Sequence, residues 1–117
     1  MRHKVDGRKL GRKTEARMAL LRTLSKQLVL YGQVETTLPK AKELKRFADK
    51  LVTDAKAKDL QHIRLIERQL ADRELVHKLT EEIAPRFSEV NGGYTSLLKT
   101  GFRKGDGAPT AIVRWSK

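Results

Sequence analysis

Few side chains in this 117-residue sequence are placed to do covalent chemistry: three histidines, one glycine-rich loop, two adjacent glutamates and 26 lysines and arginines. His62 and His77 fall in separate helical segments and form no H-x-x-x-H or H-x-x-E-H pattern, while His3 lies in a polar leader. The glycines from Gly101 to Gly107 match neither G-x-x-x-x-G-K-[ST] nor G-x-G-x-x-G, and they stand between two β-prone runs rather than ahead of a helix. They read as turn formers. Glu81 and Glu82 are helical neighbours, which point about 100° apart, and nothing nearby desolvates them. Cysteine is absent, which excludes disulfides, thiol catalysis and Cys-ligated zinc. No enzyme, cofactor or metal is expected.

Charge is the chemistry that remains. The formal net charge is +12, and its distribution is uneven. Residues 1–53 carry a balance of +9, residues 54–89 of −1 and residues 90–117 of +4. Self-repulsion opposes compaction, so a chain this basic calls for a polyanionic partner. Three groups of cations are candidates. The first is the leader "MRHKVDGRKLGRK", where six of 13 residues are Lys or Arg. Its few apolar residues fit no helical or strand period, so it cannot offset its own ordering entropy. It is expected to be a basic arm, residues 1–13, that orders against phosphate. A cleaved transit peptide is the competing reading, but Asp6 and the lack of serine argue against it.

The second group is "LKTGFRKGDG", with Lys99, Arg103 and Lys104 around Phe102. Phe102 either stacks on a base or plugs the underside of a hairpin, and Tyr94, beside Gly92 and Gly93, is open to the same two readings. The third is the cationic side of a helix near 39–57, with Lys40, Lys42, Lys45 and Arg46, which either meets phosphate or stays solvated. No zinc finger, basic zipper or helix-turn-helix pattern is present. An arm joined to a compact body suits a structured RNA with deep crevices better than a regular duplex. A nucleoid-type protein that compacts DNA is the alternative from another class, and an RNA-processing enzyme using His62 or His77 is a remoter one.

The elements that must position these groups are legible from spacing. Thr14 is a plausible cap for a helix with Met18, Leu21, Leu24 and Leu28 on one side, stopped by Gly32. A short strand follows at 33–38, then Pro39 opens a helix whose stripe is Ala41, Leu44, Ala48, Leu51 and Ala55. Asp59 and Asp72 are candidate caps for two further helices, the second carrying Leu75 or Val76, Leu79 and Ile83 and ending at Pro85. Strands are expected near 94–100 and 109–115, joined as a hairpin through Gly105, Asp106 and Gly107, with a candidate fourth at 86–90. The fold class is α+β: one small domain, 14–117, of helices packed on a small mixed sheet, behind the extended arm. No apolar run is long enough for a membrane span or a secretory signal.

Three stretches resemble the bacterial-type large-subunit ribosomal protein L seventeen family. "MRHKVDGRKLGRKTEARMALLRTL" resembles its R-H-x-x-x-G-R-K-L-x-R opening and first helix. "VETTLPKAKELKRFADKL" is similar to its [IV]-x-T-T-x-x-K-A-K-E-L signature, and "GGYTSLLKTGFRKGDGAPTA" to its closing G-G-Y-x-x-x-x-K-x-x-x-R-x-G-D-x-A-P. The resemblance implies a cytoplasmic protein of the large ribosomal subunit, bound to its rRNA and to neighbouring ribosomal proteins near the nascent-chain exit side, with no catalysis and no small-molecule substrate. It assigns RNA contact to Arg2, His3, Lys4, Arg8, Lys9, Arg12, Lys13 and Arg17. It places Thr36, Thr37, Lys40, Lys42, Lys99, Arg103 and Lys104 at or near RNA. The sequence departs from the family pattern at Ala16, where many members have His, at Ser96, where Arg is usual, and at Arg114, where an acid is common.

Overall fold

The computed structural model describes residues 14–117, so the expected arm lies outside the described residues. Helix α1, Thr14–Tyr31, buries Leu21, Leu24 and Leu28 from its expected stripe, together with Ser25 and Val29. Thr14, expected as its cap, is the first residue of the helix itself. Gly32 ends it at φ +84°, its N–H donating to the Leu28 carbonyl at 2.9 Å, a left-handed conformation that glycine adopts without a Cβ clash. Strand β1, Gln33–Thr37, leads directly into α2, Leu38–Ala57, with Pro39 in its first turn. All five residues of the expected α2 stripe are buried, and Val52 joins them.

Helix α3, Leu60–Leu70, is capped by Asp59, whose carboxylate accepts from the His62 amide at 2.8 Å. Helix α4, Arg73–Lys78, is capped by Asp72, which accepts from the Glu74 and Leu75 amides. Beyond α4 the structure departs from expectation. The chain widens into a π turn, Leu79–Ile83, in which the Ala84 amide reaches back to the Leu79 carbonyl, and then tightens into a 3-10 turn, Ala84–Phe87. Pro85 therefore does not end the helical path. The π turn resets the hydrogen-bond register so that Pro85 falls in the first turn of a new segment, where its missing N–H is not needed. The candidate strand at 86–90 is absent for the same reason: its first residues belong to the 3-10 turn.

Strands β2, Thr95–Phe102, and β3, Pro109–Trp115, form the hairpin. The sheet has the order β1-β3-β2 with both pairings antiparallel, where a mixed sheet was expected. The α+β class stands: four helices pack on this small sheet, with α2 lying against all three strands. Val34, Val113 and Leu97 align across the strands on the face that α2 covers.

The core is mainly aliphatic, as the scarcity of aromatics requires, and is closed by Phe87, Tyr94 and Trp115. Phe87 and Tyr94 meet edge to face at 5.3 Å, a favoured aromatic geometry, and the Trp115 indole donates to the Leu28 carbonyl at 3.2 Å. Tyr94 is 4% exposed, and the Lys56 ammonium sits 5.0 Å from its ring centroid, which removes the base-stacking reading for this residue.

Candidate nucleic-acid interface

Thr37 is extended at φ −65° and ψ 150° and occupies the N-cap position of α2, yet its hydroxyl makes no capping hydrogen bond. The first turn of α2 holds no acid, and Lys40 follows Pro39 within it. Amides at such a helix start lack intrahelical acceptors and carry partial positive charge, which suits an anion. Strand β1 delivers Glu35, Thr36 and Thr37 to this place, because it runs without a loop into the helix. On the far side of the sheet end, the β2–β3 register slips between Lys99 and Gly101. Gly101 takes φ +124°, open to glycine and strained for other residues. Beyond that bulge stand Phe102 and Arg103.

These segments meet in a groove of about 450 Å3 lined by Glu35, Thr36, Thr37, Lys40, Thr100, Phe102, Arg103 and Thr110. It lies where β1 leaves the sheet, β3 enters it and β2 ends. The Thr100 and Thr110 hydroxyls bond to each other at 2.6 Å across the hairpin. Phe102 is 78% exposed, so it plugs nothing beneath the hairpin. Arg103 is held by Asp106, with Nε 3.2 Å from one carboxylate oxygen and Nη2 2.5 Å from the other. The Arg103 hydrogen bond, aided by the Ala108 amide at 3.1 Å, pushes the Asp106 carboxyl down to about 2.

The sequence candidates thus divide. Thr36, Thr37, Lys40 and Arg103 come together in the groove. Lys42, Lys99 and Lys104 are exposed and lie outside its lining. Among the described residues, no acidic side chain forms an ion pair with Lys40, Lys42, Lys99 or Lys104. Arg17 lines a different groove, with Met18, Glu43, Arg46, Phe47 and Lys50. Lys45 does not belong to a solvated cationic face: its ammonium donates to the Thr95 carbonyl at 2.8 Å and pairs with Asp49 at 3.4 Å, tying α2 to β2. Arg46 lies 3.9 Å from Glu43 on its own helix.

His62 supports the Asp59 cap, its ring Nδ1 lying 2.5 Å from the carboxylate, and the amide and ring bonds hold the Asp59 carboxyl below its ordinary value. His77 is exposed near the end of α4. His3 and the basic residues Arg2, Lys4, Arg8, Lys9, Arg12 and Lys13 lie outside the described residues. Among the described residues, no acidic, His or Cys cluster suits a metal ion and no helix is long and apolar enough to cross a membrane.

Sequence reasoning did not find Glu35, Thr100 and Thr110. Their membership depends on strand register, and the only local signal was Gly101 interrupting a β-prone run. Register also bears on the two departures in the hairpin. Ser96 and Arg114 are direct cross-strand partners, so a cation stands opposite the position where the family pattern has Arg.

A family model described as "Ribosomal protein L17" matches residues 20–116. The large ribosomal subunit protein bL17 of Coprothermobacter proteolyticus is 83% identical over 117 residues, covering 100% of both chains. That of Thermodesulfovibrio yellowstonii is 53% identical over 115 residues, covering 98% of this chain and 86% of its own. That of Thermus thermophilus is 51% identical over 114 residues, covering 97% of each.

Proposed function

The chain belongs to the ribosomal protein L17 family, and from that premise we propose that it is a structural constituent of the large ribosomal subunit, not an enzyme. It resides in the ribosome, in the cytoplasm, with rRNA and neighbouring large-subunit proteins as partners. It holds folded RNA at two places: the basic arm 1–13, and the groove with the hairpin tip of the domain 14–117. The position near the nascent-chain exit side belongs to the same proposal.

One observation supports the RNA contact more than any other. Thr36, Thr37, Lys40 and Arg103, from segments far apart in the chain, line one groove beside an exposed aromatic ring. Cations neutralise phosphates and release counterions, hydroxyls and amides position the backbone, and an aromatic face accepts an unstacked base. Lys42, Lys99 and Lys104 are exposed and stand within two residues of lining positions in the sequence, and they add further positive charge.

The test is sedimentation of the tagged full chain from a cell extract in magnesium, at low and then at high salt. Stoichiometric co-migration with the large subunit that survives moderate salt is the expected result. Migration as free protein or with DNA would overturn the proposal and put the DNA-compacting alternative first.

A further inference from the structure

We propose that the groove at the sheet end takes a single unpaired nucleotide, with its base against the face of Phe102 and its phosphate against Lys40 and Arg103. The inference rests on the RNA-binding reading and narrows it from phosphate contact to a pocket for one extruded nucleotide.

Phe102 carries the argument first. It is 78% exposed on a strand end, while Phe87 is fully buried in the core. The ring lines the polar groove with most of its surface open to solvent, so its face is available to an incoming base. A regular RNA duplex would not make it, because its base faces are stacked on one another and it offers proteins mainly phosphates and 2′-hydroxyls. An unstacked base offers a π-face that any aromatic can cover.

The size and polarity of the groove fit the same ligand. Its volume of about 450 Å3 lies within the roughly 300–1,000 Å3 typical of small-ligand sites. Lys40 and Arg103 line it, so phosphate has two cations to meet. Arg103 is oriented rather than free: Asp106 takes Nε and Nη2, which leaves Nη1 to donate. Glu35 is the acidic residue of the lining. A carboxylate repels a second phosphate but accepts from an exocyclic amine or a ribose 2′-hydroxyl, so it favours a nucleoside on its side of the groove.

The experiment compares binding of the full chain to a bacterial large-subunit rRNA transcript and to a blunt-ended RNA duplex of two complementary strands, across a salt series. Phe102→Ala is expected to weaken transcript binding about tenfold with no change in salt slope, and to leave duplex binding unchanged. Phe102→Trp retains the affinity. Lys40→Ala weakens binding to both and lowers the salt slope by about one. Phe102 is exposed, so an unchanged melting temperature identifies its variants as folded. A Phe102→Ala protein within about twofold of the parent, beside a weakened Lys40→Ala protein, would overturn the nucleotide pocket and leave phosphate binding intact. A parent chain that binds neither the transcript nor the duplex would overturn the RNA reading beneath it.

Discussion

Asp106 shows how one side chain sets the local chemistry of the hairpin tip. Its carboxylate holds Arg103 through two oxygens and accepts from the Ala108 amide, and its titration is pushed down to about 2. A carboxyl lowered in the folded state contributes stability that is fully present above its unfolded value, about 3.9. That contribution is lost as pH falls through the folded value. The turn is therefore fully tied at neutral pH and loosens between about pH 4 and pH 2. Following the Asp106 carboxyl carbon by NMR should give a midpoint near 2 in the parent. In Arg103→Ala the midpoint should rise toward the ordinary value. A parent midpoint near 4, unchanged by that substitution, would mean that the pair does not form in solution. At this scale the sequence was only half legible. The cations of "GFRKGDG" were visible as a group, but their pairing was not. Phe102 and Tyr94 offered the same two readings, and tertiary packing sent one outward and the other into the core.

Helix α2 joins packing to function, and it was the most legible element. Its apolar residues recur at helical spacing, Pro39 suits a first turn, and the structure buries every residue of the stripe. Because α2 lies on all three strands and also positions Lys40, the site depends on that seam. Leu44 is 0% exposed within it. Leu44→Ala should cost about 2–5 kcal/mol in denaturant unfolding with the m-value unchanged, from lost burial and the cavity left behind. A loss below about 1 kcal/mol would show that the seam relaxes around the gap. The segment after α4 was the least legible. A proline signals a helix end, but whether the chain stops or re-registers depends on a buried anchor further along, here Phe87. The all-antiparallel sheet was hidden in a similar way: β3 sits between β1 and β2, an order that no local pattern encodes.

The whole molecule is divided by charge. Its middle third, residues 54–89, is nearly balanced and forms the last turn of α2, α3, α4 and the turns after them, whereas the surplus sits in residues 1–53 and 90–117. The groove draws its cations from both of these outer segments. A protein with this division should bind RNA through two separable contributions, one from the arm and one from the domain. The described residues already contain a contiguous core running from Leu24 to Trp115. Removing residues 1–13 should therefore leave the far-UV circular dichroism and the melting temperature of the remainder close to those of the full chain. RNA binding should change much more. The leader carries six Lys and Arg, and each phosphate neutralised contributes about 0.9 to the slope of log K against log salt on a duplex and about 0.7 on a single strand. If all six meet phosphate, the truncated chain loses about 4–5 from that slope. It keeps the part supplied by Lys40, Arg103 and the exposed Lys42, Lys99 and Lys104. Adding Lys40→Ala to the truncation should then remove about one more, because the two regions act on different phosphates. An unchanged slope on truncation would mean that the arm meets no RNA phosphate, and the domain surface would have to supply all of the binding.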